Sequence, residues 1–153
     1  MKKIILLLIV LIIVSGSAYA DDFYILCRPS SEINIRFSAK WTADIIGHKY
    51  CGEVVHADGL RKNGFVHVYD LGLEDGTGWI YAGLLVDDPP LIYEGNAQIV
   101  SNGRVAARQY INGKRNKWLK EGREVFVYAI SEEWSITDQG YIRTKYLSVN
   151  QIP

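Results

Sequence analysis

The chain has 153 residues, with 17 Lys and Arg against 17 Asp and Glu, and 48% of its residues are hydrophobic. That apolar share excludes a disordered chain, which cannot bury enough surface to fold. The balanced charge argues against a nucleic-acid binder, which concentrates basic residues on one face, and the length allows one domain or two small ones.

Residues 1–20 read as an export signal. Lys2 and Lys3 form a positive start, Ile4 to Val14 is an unbroken apolar run, and Ala18-Tyr19-Ala20 puts small residues where a signal peptidase cuts. The run is too short for a membrane span, which needs about 20 residues. Asp21 and Asp22 follow at once, and no Cys stands there for lipid attachment. Cleavage after Ala20 is therefore expected, leaving an exported chain, periplasmic or extracellular, without a membrane span. Losing Lys2 and Lys3 from the 17 basic residues leaves 15 against 17 acidic. The remaining charge is uneven: 11 acidic and 6 basic residues in 21–90, then 6 acidic and 9 basic in 91–153. The halves either attract each other, meet an anionic partner through a basic patch, or carry ordinary solvated surface.

From Phe23 onward the pattern is that of short strands. Apolar and polar residues alternate in Phe23-Tyr24-Ile25-Leu26-Cys27, Ile33-Asn34-Ile35-Arg36, Glu53-Val54-Val55-His56 and Phe65-Val66-His67-Val68-Tyr69. Turn signals separate them at Arg28-Pro29-Ser30-Ser31, Ala57-Asp58-Gly59, Lys62-Asn63-Gly64 and Glu74-Asp75-Gly76. Ser38 to Ile46 has the makings of a short helical turn, weakened by Thr42 and the Ile pair. Cys27 and Cys51 are the only cysteines. An even pair in an exported chain suggests a disulfide, adding about 3 kcal/mol, with two buried free thiols as the alternative.

Asp87-Asp88-Pro89-Pro90 marks an internal boundary, because two prolines cannot continue a strand ladder. The expected division is 1–20 signal, 21–88 first unit and 91–153 second unit. After the boundary the pattern begins again. Ile33-Asn34-Ile35-Arg36 corresponds to Val105-Ala106-Ala107-Arg108, and Gly52-Glu53-Val54-Val55 to Gly122-Arg123-Glu124-Val125. Phe65-Val66-His67-Val68 corresponds to Trp134-Ser135-Ile136-Thr137. Each unit closes on a Gly-aromatic-Ile step and a Leu: Gly78-Trp79-Ile80 with Leu84, and Gly140-Tyr141-Ile142 with Leu147. Gly52 to Gly78 is longer than Gly122 to Gly140, which predicts an enlarged hairpin from Val68 to Thr77.

These landmarks resemble the bacterial SH3-like domain family. Its signature runs Leu-Asn-Val-Arg, a small-polar loop, an Ile-Gly step, a Gly-x-x-Val strand, a Trp-x-x-Val strand and a closing Gly-Trp-Val with a later Leu. The first unit matches through Ile33–Arg36, Ile46-Gly47, Gly52–Val55, Phe65–Val68, Gly78–Ile80 and Leu84. The second is degenerate, with Ala106 in place of Asn and Trp118-Leu119 in place of Ile-Gly. The resemblance implies an all-β chain of two tandem small half-open barrels, each of five to six strands. Arg36 is expected to lay its stem over an aromatic ring and satisfy loop carbonyls.

Such modules often accompany a papain-like cell-wall endopeptidase or an amidase domain, and two units leave no room for one here. Cysteine hydrolysis would need a thiolate beside a histidine. His48, His56 and His67 lie near Cys51 in sequence, but in a polar turn and on alternating strands, so the chain is expected not to be an enzyme. The histidines have no metal-ligand spacing, and there is no phosphate loop or paired-carboxylate motif, so neither metal nor cofactor is expected.

What remains is binding. Aromatic candidates in the first unit are Trp41, Tyr50, Tyr69, Trp79 and Tyr81, with Tyr24 beside them. In the second they are Trp118, Tyr110, Trp134, Tyr141 and Tyr146, with Lys114, Arg115 and Lys117 as basic neighbours. Aromatic platforms with basic residues suit an anionic, sugar-containing polymer or a peptide. The leading expectation is a non-catalytic exported module for cell-wall peptidoglycan or its stem peptides, through an aromatic groove. The alternative is an adaptor for a protein partner, working through a sheet edge.

Overall fold

The structure, a computed structural model, describes residues 21–69 and 72–149. The expected signal peptide lies outside the described residues. Strands β1 (Asp21–Ile25), β2 (Glu32–Arg36), β3 (Ile45–Tyr50), β4 (Val54–Lys62), β5 (Phe65–Tyr69), β6 (Thr77–Tyr81) and β7 (Leu85–Val86) form one antiparallel sheet. Its order is β3-β2-β6-β5-β4-β1-β7. The second sheet comprises β8 (Leu91–Ile99), β9 (Arg104–Arg108), β10 (Arg115–Lys120), β11 (Glu124–Ile130), β12 (Trp134–Thr137), β13 (Gly140–Arg143) and β14 (Leu147–Val149). Its order, β10-β9-β13-β12-β11-β8-β14, repeats the first with every strand advanced by seven. The described residues are thus all-β, two tandem small barrel-like domains, with the Asp87–Pro90 stretch between the two sets of strands.

The sequence pattern explains the strands. On β11, Val125, Val127 and Ala129 point into the core while Glu124 and Phe126 face out, the period of two that a half-buried strand needs. Ile25, Ile35, Val55, Val68 and Ile80 fill the first core, and Ile99, Val105, Leu119, Val127 and Ile142 fill the second. The repeat landmarks coincide in space. Gly52 and Gly122 both take positive φ and both donate to the last residue of the unit's first strand, Ile25 and Ile99. Arg36 stands opposite Trp79 as Arg108 stands opposite Tyr141. The extra residues of the first unit lie where expected, between β5 and β6.

Several expectations need correction. Each sheet has seven strands rather than five or six, because the short β7 and β14 zip onto β1 and β8. Ala57-Asp58-Gly59 is not a turn between strands but a bulge inside β4, where Asp58 accepts from the Leu60 amide. Ser38 to Ile46 forms no helical turn. Phe37 N–H donates to Asp44 and Ala43 to Lys40, which makes an irregular loop, and Ile46 already belongs to β3. The closing landmark is displaced by one: Leu85 and Leu147 each open the last strand, while Leu84 corresponds to Tyr146. Trp118 lies opposite Ala106 as His48 lies opposite Asn34, so it replaces His48 and not the Ile-Gly step.

The expected disulfide is absent: Cys27 and Cys51 are free thiols. The two are neighbours, but their sulfurs are held by main chain. Cys51 Sγ donates to the Cys27 carbonyl at 2.6 Å and accepts from the Cys27 amide at 3.2 Å, while Cys27 Sγ faces the Ser31 carbonyl at 4.0 Å.

A third apolar cluster joins the two units. It contains Leu26 and Val86 from the first and Ile111, Trp134, Ile136 and Tyr141 from the second. The Tyr141 hydroxyl donates to the Leu26 carbonyl at 2.7 Å, and the Ile111 amide donates to Gly83 at 2.9 Å.

Candidate functional site

The junction brings four rings together. Trp41, from the loop between β2 and β3, packs against Phe65 at 5.1 Å and Tyr81 at 4.7 Å, ring centre to ring centre. Tyr110, from the second unit, packs against Tyr81 at 4.7 Å and reaches Trp41 at 6.1 Å. Phe65 and Tyr81 are cross-strand partners on β5 and β6, so the strand register itself sets their ring contact. These rings, with Glu32, Asn34 and Arg36, enclose a groove of about 190 Å³. Trp41 keeps 52% of its surface exposed, so it is a wall of the groove rather than part of the core.

Local sequence accounts for the placement of each wall. Arg36 donates to the Ala43 carbonyl at 2.8 Å and holds its guanidinium 5.9 Å from the Trp41 ring, closing the loop that carries Trp41. This is the structural role expected of it. Asn63-Gly64 forms the two-residue turn between β4 and β5, both residues at positive φ, and the Asn63 amide donates to Ala39 in the same loop. Gly83 lets the second unit approach. A Cβ there would stand 2.6 Å from the Tyr81 ring and 2.8 Å from Tyr110 Cβ.

The other sequence candidates divide. Trp79 and Tyr69 share the outer face of β5 and β6 with Tyr81, next to the groove, and His67 packs between them at 4.9 Å and 6.1 Å. Tyr50 lies on the edge strand β3 and donates its hydroxyl to Glu32 at 3.1 Å, which raises its pKa. Trp118 and Arg115 stack on each other in the second unit, 4.4 Å from guanidinium to ring centre, and lie outside the four-ring groove. Lys117 donates to Gln139 at 2.8 Å and lines a different cleft of about 480 Å³ between the units, alongside Cys27, Arg28 and Tyr141. The Lys114 carbonyl accepts from Gln109, and its side chain lines none of these cavities. Aromatic and basic candidates therefore do not converge on one groove. Tyr110, expected to serve the second unit, serves the first. Only the contact across the junction reveals that, and no sequence spacing encodes it.

The histidines pair with carboxylates: His56 with Asp22 at 2.6 Å, His67 with Asp58 at 2.7 Å, and His48 with Glu32 at 3.9 Å. Burial raises the Asp58 pKa, but the bonds from His67 and the Leu60 amide outweigh it, and the carboxyl ends below its ordinary value. Cys51 is pushed down to about 7, first by the hydrogen bond from the Cys27 thiol and further by the Cys27 and Gly52 amides, against its own burial. The same bond and burial push Cys27 up.

No family model matches the chain, and no curated protein does. Among solved structures, it is similar to NlpC1 from Trichomonas vaginalis, with 19% identity and a TM-score of 0.35. It is also similar to NlpC2 from the same organism, with 16% identity and a TM-score of 0.34. Each match covers 88% of this chain and 48% or 50% of the other, so the chain spans about half their length.

Proposed function

We propose that the chain is a tandem pair of bacterial SH3-like units, exported after loss of residues 1–20, that binds cell-wall peptidoglycan without catalysis. The observation that carries this reading is the four-ring groove of Trp41, Phe65, Tyr81 and Tyr110, assembled from both units. Aromatic walls accept the apolar faces of sugar rings or the side chains of a stem peptide. Glu32 and Arg36 at the rim offer opposite charges, as the amino and carboxyl groups of a stem peptide require. Because Tyr110 completes the wall, the second unit contributes to binding even where its own signature is degenerate.

The test is retention on purified insoluble peptidoglycan at low and moderate salt. The protein used runs from Asp21 onward, since all fourteen strands lie there. Retention should survive moderate salt and fall sharply in Trp41→Ala and in Tyr110→Ala. Retention at low salt alone would reduce the interaction to screened surface charge. No retention at either salt would end the wall reading and turn the search to a protein partner.

A further inference from the structure

The two sheets share one strand order, so the groove positions on β2, β5 and β6 have counterparts on β9, β12 and β13. Those counterparts also line a cavity, of about 290 Å³. Arg108 takes the place of Arg36 and repeats its role, donating to the Gly113 carbonyl at 2.7 Å. Trp134 takes the place of Phe65, since Trp134 faces Arg143 across the ladder as Phe65 faces Tyr81.

The chemistry of the remaining positions is changed. Glu32 becomes Arg104, Asn34 becomes Ala106 and Tyr81 becomes Arg143. An acidic and aromatic wall has become a cationic one. Three arginines line this second cavity, and its lining contains no carboxylate. Arg143 places its guanidinium carbon 4.2 Å from the centre of the Trp134 ring, within cation–π range. Among the described residues its one carboxylate contact is Glu133, at 2.5 Å, which sits outside the cavity lining and is 70% exposed. Arg104 has no side-chain hydrogen bond or ion pair among the described residues. Trp118 adds a half-exposed indole to the same wall, with Arg115 stacked on it.

We propose that this cavity is a second, separate binding site, for a sugar carrying an oxyanion, with Arg104 and Arg143 on the carboxylate or phosphate and Trp118 against the ring. Guanidinium groups pair with planar or tetrahedral oxyanions through parallel N–H bonds, and an indole beside them takes the apolar face of a pyranose. The site is distinct from the peptidoglycan groove and does not depend on it.

The experiment is calorimetric titration of the chain from Asp21 onward with trigalacturonate, glucose 6-phosphate and, as a neutral control, chitotriose. Either acidic sugar should bind saturably, with the tighter one identifying the oxyanion. Arg104→Glu should weaken that binding by more than about tenfold. Glu133→Gln, which releases Arg143 from its competing carboxylate, should tighten it. Trp41→Ala, in the other groove, should leave it unchanged. An unaltered spectrum of backbone amides confirms that each exposed substitution folds. The proposal is overturned if neither acidic sugar saturates, if chitotriose binds equally well to the same site, or if Arg104→Glu leaves the affinity unchanged.

Discussion

Cys51 shows how much a single side chain owes to its surroundings. It is half-buried, yet hydrogen bonds from the Cys27 thiol and two main-chain amides favour its thiolate more than burial opposes it. A thiol is nucleophilic only when ionised, so its reactivity follows its pKa. We expect carbamidomethylation by iodoacetamide to rise with a midpoint near pH 7 at Cys51, the value to which its pKa falls. Cys27, pushed the other way, should stay unreacted across the same range. Peptide mass spectrometry after a short pulse at several pH values reads both sites, and Cys51→Ser should remove the fast label. The identity and number of the cysteines were legible in the sequence, as was their proximity. The choice between bonded sulfurs and thiols was not, because it depends on which way each sulfur turns relative to the Cys27 main chain.

At the scale of elements, the turn that opens β13 carries the most demanding geometry. Gly140 has φ near +116, a region closed to residues with a Cβ, and a Cβ there would stand 2.5 Å from the Arg108 carbonyl oxygen. That oxygen is backbone on the neighbouring strand β9, so it cannot step aside without moving the sheet. Gly140→Ala should therefore lower stability by about 2 kcal/mol or more, measured by denaturant unfolding. Gly103→Ala, with nothing within 4 Å and no positive φ, should cost far less. The Gly-aromatic-Ile steps were visible as landmarks because a close strand crossing leaves a glycine in the sequence. The bulge at Ala57–Arg61 reads as a turn in the sequence because Asp-Gly is the same local signal in both settings, and only the continued pairing of β4 with β5 distinguishes them.

At the scale of the whole molecule, the two units are joined by an apolar cluster and a few hydrogen bonds. The Tyr141 hydroxyl is buried, and its bond to Leu26 spans the junction. Burial pushes its pKa far up, so the hydroxyl stays protonated and donating throughout the stable pH range. Tyr141→Phe would leave the Leu26 carbonyl without this donor, at a cost of about 1–3 kcal/mol. We expect a lower thermal midpoint with peptidoglycan retention weakened in parallel, because the same junction positions Tyr110. A lowered midpoint with unchanged retention would show that the groove does not need this contact.

The amino-acid sequence alone determined the strand type, most of the turns, the tandem repeat and the aromatic inventory. Those follow from side-chain periodicity and backbone preference, which act over a few residues. Tertiary structure alone decided that Tyr110 crosses to the first unit, that Trp118 takes the place of His48, and that Arg104 and Arg143 meet in one cavity. Arg104 and Arg143 are far apart in the chain and become neighbours only through the order of β9, β13 and β12 in the sheet. Such contacts are set by strand register and by packing between the units. Both depend on the summed burial of many residues and leave no mark on the spacing of the few that carry the chemistry.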